Sequence, residues 1–260
     1  MTEEVQGTPC PPKKIPLMEC FGPTYQGEGA FAGTQSYFLR FGLCDSACIM
    51  CDSMHSVDPE QVSQNARWLT QEQILTEFLT LVSANKNNCQ MVTFSGGNPC
   101  IHDLTWLVQE LNKVGIMINV ETQGTKNPKW LGDMQFVTIS PKSPGMGEMY
   151  SKEHLSQMIK DLDAKGVPHC LKIVVFSEQD FEFASAVFAE YPGSPKYLSQ
   201  GNLYIPGALV AEDMSDDEIR IALLHEYRAL MEDLLKRPDL HHATFLPQLH
   251  VLAWANLQEV

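Results

Sequence analysis

The chain has 260 residues, with 18 Lys+Arg against 32 Asp+Glu, a formal net charge of −14, and eight cysteines. That length buries a sizeable core, and 44% hydrophobic with 19% charged residues is ordinary globular composition, which excludes disordered and fibrous classes. No run reaches the roughly 18 apolar residues of a membrane span, and the start MTEEVQGTPCPPKK has no apolar signal core, so membrane and secreted classes are not expected. Eight cysteines then read as thiols or metal ligands in a reducing cytoplasm rather than as a disulfide framework. The acidic balance argues against nucleic acid as a direct partner, because a phosphate backbone rewards a basic face.

Residues 1–14, with three prolines and no periodicity, read as a mobile tail, and 15–260 as one domain. The stretch 21–29 (FGPTYQGEG) contains glycines and a proline that forbid helix, so it reads as a loop presenting Gln26 and Glu28. Gln35–Phe41 is a buried strand by its aromatic and apolar content. A helix follows over Thr70–Ala84, with capping-box spacing at Thr70 and Gln73 and with Ile74, Phe78, Leu81 and Val82 on one face. Strand Met91–Phe94, helix Asp103–Lys113, strand Met117–Val120 and strand Phe136–Ile139 come next. Helix Ser151–Ala164, strand Leu171–Phe176, helix Ser177–Glu190 and a short strand at Tyr197–Leu198 continue the alternation. A long helix over Ser215–Leu235 opens on the capping box Ser215–Glu218, and Thr244–Leu249 is the last strand. Repeated strand–helix units predict an α/β fold with a parallel sheet, open or rolled into a full or partial barrel.

Cys44, Cys48 and Cys51 form C-x3-C-x2-C directly after the first predicted strand. Three thiols within eight residues reach one metal centre only if the chain wraps around it, which small neighbours at 45–47 permit. Two readings stay open on spacing alone. A structural zinc would take His55 as its fourth ligand. An iron–sulfur cubane with three thiolates would keep one iron open. Free structural thiols are a poor third reading, since a polar loop offers them little core to pack into. Cys10, Cys20, Cys89, Cys100 and Cys170 receive no ligand role.

C-x3-C-x2-C, followed after the next strand by Ser95-Gly96-Gly97-Asn98-Pro99, resembles radical S-adenosylmethionine (SAM) enzymes. Their open iron chelates SAM, and their Gly-Gly-Glu-Pro element approaches its methionine part. Here Asn98 replaces the glutamate. Gln26 and Glu28 ahead of the cluster, Arg40, Cys51-Asp52-Ser53, Glu121-Thr122-Gln123-Gly124-Thr125, Ser140-Pro141-Lys142 and Leu246-Pro247-Gln248-Leu249-His250 narrow the likeness. Together they resemble the 7-carboxy-7-deazaguanine synthase family over about residues 15–256. Each short motif is weak by itself; the set is specific.

The resemblance implies a partial (β/α) barrel of the radical SAM type with about six parallel strands. In such a barrel the loops after the strands share one face, where the four polar motifs would meet. It implies ring contraction of 6-carboxy-5,6,7,8-tetrahydropterin to 7-carboxy-7-deazaguanine with loss of ammonia, a step toward queuosine and other 7-deazapurines. A [4Fe-4S] cluster would sit on Cys44, Cys48 and Cys51, and Mg2+ on Ser53, with Asp52 in a structural task beside it. SAM contacts would come from Gly97, Asn98, Glu121, Ser140, Pro141 and Lys142. For Glu121 the alternative is capping the next turn, and for Lys142 a surface ion pair. Tyr25, Gln26, Gly27, Glu28, Arg40, Ser95 and His250 would line the substrate site, Glu28 accepting from the pterin ring edge and Arg40 pairing with the carboxylate. For His250 a hydrogen-bonded core role is the alternative. Family members also imply a homodimer and an electron donor such as flavodoxin.

Overall fold

The computed structural model describes residues 9–257 apart from 87, 149 and 207. Of the expected tail, 1–8 lie outside the described residues, and 9–14 carry no regular element. In chain order the main elements are β1 (Ile15–Tyr25), β2 (Gln35–Phe41), α1 (Pro59–Asn65), β3 (Arg67–Leu69), α2 (Gln71–Ala84), β4 (Met91–Gly96), α3 (Thr105–Lys113) and β5 (Met117–Thr122). They continue with β6 (Phe136–Ile139), α4 (Lys152–Lys165), β7 (His169–Val175), α5 (Glu178–Glu190), β8 (Lys196–Gln200), α6 (Asp216–Leu234), β9 (Thr244–Leu246) and α7 (Leu249–Trp254).

All nine strands form one sheet in the order β3-β1-β2-β4-β5-β6-β7-β8-β9. From β2 to β9 each neighbouring pair is parallel. β1 runs antiparallel to both β2 and β3. The sheet therefore has seven parallel strands and two edges, β3 and β9, and is a barrel that does not close.

Alternation along the strands sorts the side chains. Tyr37, Leu39, Phe41, Val92, Phe94, Ile118, Val120, Val137, Ile139, Leu171 and Ile173 face outward into the core beneath the helices. Ile74 and Phe78 of α2, Leu107 and Leu111 of α3, and Phe181 and Phe188 of α5 complete that layer. Each such side chain contributes about 1.5–3 kcal/mol by leaving water. The intervening residues face the concave side and, Phe38 apart, are mostly polar: Ser36 and Arg40, Thr93 and Ser95, Asn119 and Glu121, Thr138 and Ser140, Lys172 and Ser199. An apolar outer face and a polar inner one make the concave side a binding surface.

Helix starts follow the expected caps. Thr70 and Ser215 each close a capping box, Ser151 accepts from the His154 N–H, and Asp180 reaches back to accept from the Ser177 N–H and hydroxyl. Three expectations need correction. The loop expected from 21 onward is strand as far as Tyr25. Gly22–Pro23 is a cis peptide at a register shift between Phe21 and Thr24, so the proline sits at a bulge where no ladder N–H is needed. The last strand stops at Leu246, and 249–254 is helix. Finally, α1 and β3 between the cysteine loop and α2 were not anticipated.

Candidate active site

Parallel pairing of β2, β4, β5 and β6 brings the segments after them to one end of the barrel. The cysteine loop, Gly97–Pro99, Gln123–Thr125 and Ser140–Lys142 all meet there. The Gly96–Gly97 pair is decided by this packing. A Cβ on Gly96 would stand 2.0 Å from the Phe41 carbonyl oxygen, and one on Gly97 1.9 Å from that of Leu43. Gly97 and Asn98 donate their backbone N–H groups to those carbonyls, of Phe41 and Leu43 respectively. The glycines thus admit the protein's own cysteine loop, where the sequence reading expected the approach of a methionine moiety.

Asn98 has no exposed surface. Its side-chain oxygen accepts from the Cys100 N–H (3.1 Å) and the Thr122 hydroxyl (3.0 Å), and its Nδ2 donates to Asp45 (2.8 Å) and Thr125 (3.3 Å). The expected hydrogen bond from the SAM ammonium therefore meets an oxygen that already holds two donors. Gln123 strengthens the same knot, donating to Asp45 (2.9 Å) and to the Cys44 sulfur (3.2 Å). Three motif segments are clasped together, and Asp45 and Gln123 had gone unassigned.

The three cysteines are free thiols, Cys48 buried and Cys44 and Cys51 half-buried. Burial pushes the Cys48 thiol up, and that of Cys51 up to about 12, with Asp52 adding to the latter. Each of the two is close enough to feel a neighbouring cysteine sulfur and the Lys142 charge, which opposes the shift. Metal binding at such thiols releases protons. Among the described residues no three His, Cys, Asp or Glu side chains converge on one ion position. A cubane asks for something else, three thiolates on three separate irons, and the donor set suits it. The zinc alternative needed His55, whose Nε2 is engaged with Glu19 at 2.9 Å.

Ser140 and Lys142 lie beside this loop. The Ser140 hydroxyl is buried with no partner among the described residues, a polar atom that suits a ligand contact. Pro141 is buried next to it. Lys142 lines a recess with Ser46, Gln123 and Glu148 and makes no ion pair among the described residues, so the surface-pair alternative is not realised.

The loop then runs from Cys51 straight into the wall of a cleft of about 140 Å3, open to solvent. Tyr25, Gln26, Gly27, Glu28, Arg40, Ser53, Ser95, Glu121 and His250 all line it, and so do Phe21, Phe38, Asp52 and His55. Every residue expected to touch substrate is here. Glu121, expected near SAM or capping a turn, accepts from Gln26 Nε2 at 3.1 Å and belongs to this cleft. Gly27 is packed against His250: a Cβ would fall 2.2 Å from its Nδ1. Phe21 and Phe38 stack at 5.2 Å between centroids and give the cleft a flat apolar wall.

Charges are paired in two groups. Glu19 receives Arg40 Nε at 2.5 Å and His55 at 2.9 Å, and Arg40 also reaches the Ser53 hydroxyl at 3.3 Å. Glu28 receives Lys172 Nζ at 2.5 Å and Gln248 Nε2 at 2.9 Å, and Gln248 also reaches Asp52 at 3.2 Å. Burial acts to raise the Glu19 carboxyl, but His55 and Arg40 outweigh it and hold it low. Burial likewise opposes Glu28, which Lys172 and His250 hold low, and Asp52, held low by His250 and the Ser53 hydroxyl. Glu19, Lys172 and Gln248 were missed. Lys172 had a signal, a lone charge in an apolar strand; Gln248 lay in a quoted motif without a role.

Carboxylates held low stabilise the fold above their ordinary pKa and lose that contribution as pH falls through the lowered one. The urea midpoint is expected to stay level from pH 7 to about 5 and to fall below about pH 4. A midpoint flat to pH 3 would contradict the pairing of Glu19 and Glu28.

No protein-family model matches the chain. A 7-carboxy-7-deazaguanine synthase from Bacillus subtilis (strain 168) is 36% identical over 254 residues, covering 95% of this chain and 99% of the relative. One from Bacillus cereus is 36% identical over 251 residues, with the same coverage. Among solved structures, QueE from Escherichia coli superposes with a TM-score of 0.62 at 22% identity, over 91% of this chain and 95% of that one. Streptococcus suis SuiB bound to S-adenosylmethionine gives 0.54 at 14% identity, over 83% and 51%. Full-length identity to the Bacillus enzymes, on a fold shared with QueE, places this chain in the 7-carboxy-7-deazaguanine synthase family.

Proposed function

We propose that the chain is a radical SAM lyase that contracts 6-carboxy-5,6,7,8-tetrahydropterin to 7-carboxy-7-deazaguanine with loss of ammonia, on the route to queuosine. The observation that carries this is one cleft holding acceptors for a pterin edge and a cation for its carboxylate, lined by Asp52 and Ser53 directly after Cys51. Cys44, Cys48 and Cys51 would hold the cluster, with Ser140, Pro141 and Lys142 against SAM and with Gly97 and Asn98 shaping that site through the backbone. The chemistry supplied by the bound cluster and SAM is one-electron cleavage to a carbon radical that abstracts hydrogen.

The chain's own residues orient the substrate and keep water away. Arg40 is fixed through Nε by Glu19, which leaves other guanidinium N–H groups for a carboxylate. Glu28 accepts from the ring N–H donors, with Gln26 beside it offering both donor and acceptor. Phe21 and Phe38 provide a face for the ring to stack on, and Val251 and Leu257 close the cleft with apolar surface. His250 packs on Gly27 and helps hold Glu28 and Asp52 ionised. A hard cation that keeps most of its waters suits the Ser53 hydroxyl, so we assign Mg2+ there. A homodimer, a flavodoxin-type electron donor and a cytoplasmic setting belong to the same reading; eight free thiols are in keeping with a reducing compartment. No helix among the described residues is long and apolar enough to cross a membrane.

The test is anaerobic incubation of the reconstituted protein with SAM, a reductant, Mg2+ and carboxytetrahydropterin. The expected result is 7-carboxy-7-deazaguanine with one ammonia per product. An intact cluster that yields neither overturns the assignment.

A further inference from the structure

Lys172 sits on β7 between Leu171 and Ile173, both fully buried beneath the helices. Strand alternation therefore turns it to the concave side, where its side chain is only 6% exposed. A buried ammonium is costly unless paired, and here the partner is Glu28 Oε2 at 2.5 Å. The lysine stem runs under the turn that carries Glu28: a Cβ on Gly29 would lie 3.6 Å from Lys172 Cδ. Lysine and carboxylate are thus locked by packing as well as by charge. Gln248 takes the other oxygen, Oε1, at 2.9 Å.

A carboxylate held at both oxygens keeps one lone pair on each for the cleft it lines. It cannot rotate away, and its two acceptor directions are set before any ligand arrives. We propose that Lys172 is a positioning residue for the pterin, acting through Glu28 to present a fixed pair of acceptors to the ring's N–H edge. This rests on the reading of Glu28 as the substrate acceptor.

The surroundings explain why a cation is needed at this point. Glu121 and Asp52 also act on the Lys172 ammonium, so three carboxylates from three segments surround one charge, with His250 near two of them. Without Lys172, Glu28 loses its ion partner and the packing that fixes it, and is free to take a proton or to turn away from the cleft. A protonated Glu28 turns a donor toward a ring edge that itself presents donors. Arg40 does not substitute, because its ion pair is with Glu19 and its remaining N–H groups serve the substrate carboxylate in this reading. Lysine at this position is therefore tied to recognition of a donor edge, and the barrel's apolar packing does not call for it.

The probe is 6-carboxypterin, which keeps the 2-amino-4-oxo edge and the carboxylate, titrated into reconstituted enzyme holding SAM. Lys172→Met is expected to weaken its binding by about tenfold or more while SAM affinity stays unchanged. Glu28→Gln should weaken it similarly, and the double variant should bind as Glu28→Gln alone, because the lysine acts only through that carboxylate. The double variant removes the Lys172–Glu28 pair as a unit and does not strand Glu28 without its cation, so this comparison stands even if Lys172→Met folds poorly alone. Unchanged binding in Lys172→Met, or losses that add in the double variant, overturns the inference. A wild-type enzyme that ignores the probe overturns instead the functional reading beneath it.

Discussion

A Cys48→Ala protein prepared without oxygen is expected to lack the brown colour and visible absorption of an iron–sulfur cluster and to form no detectable product. Cys48 is the central thiol of the loop and is buried, and the donors on either side cannot shift to replace it. The Ile49 N–H is bonded to the Met146 carbonyl at 3.0 Å, and Cys44 is held by Gln123. Loss of an outer partner of a metal ligand costs about 10–100-fold, so loss of a ligand itself should exceed a hundredfold. Iron content, absorption and product, measured on the same sample, check it. Cys170→Ala is the control. That thiol is fully buried on β7, near the Thr138 hydroxyl, and its replacement should leave iron content unchanged. Full turnover by Cys48→Ala would refute the role of the cysteine loop.

The second large effect is expected on stability. Asn98→Leu removes an acceptor from the Cys100 N–H and the Thr122 hydroxyl, both in the interior, and a donor from Asp45. Each buried group left unmet costs about 1–3 kcal/mol, so the sum is about 3 kcal/mol or more. For a chain of this size that lowers the melting temperature by roughly 6–12 °C. Asn98→Asp separates the two halves of the role. It keeps the oxygen that serves Cys100 and Thr122 and replaces the donor to Asp45 with a like charge. Its melting temperature should fall less than that of the leucine variant, while the cysteine loop loosens and retains less iron. Calorimetry and iron analysis of the two variants check this. Equal melting temperatures for wild type and Asn98→Leu would show that the knot is not structural.

Much of the fold can be read from local rules. Thr70, Ser151 and Ser215 mark helix starts because a side-chain oxygen three residues before a free N–H is a local arrangement. The strands of the parallel sheet show as short apolar runs. β1 was hidden because glycine and proline signal a loop unless a bulge takes them up, and a bulge exists only once β2 is alongside. The last helix was hidden for a similar reason: it is short, and its length alone would not hold it together. Packing places Val251 of that helix in a small cluster with Ile219 and Leu223 of α6.

The motifs were legible as residue types, and their gathering at one end follows from topology. Their individual duties did not. Asn98 reads as a polar residue available to a ligand until Asp45, Thr122 and Thr125 converge on it from separate loops. Glu121 reads as a strand-end carboxylate until Gln26 meets it across 95 residues of chain. Lys172, Glu19 and Gln248 stay ordinary until the strands turn their side chains inward.

Composition, charge, the cysteine spacing, the Thr70 and Ser215 caps and the alternation of parallel strands with helices are legible before folding, because they depend on neighbours along the chain. Which polar atoms are already paired and which still face the cleft depends on contacts between segments far apart in the chain. Hydrogen bonds and ion pairs between distant segments are matters of angstroms, and no local pattern encodes them.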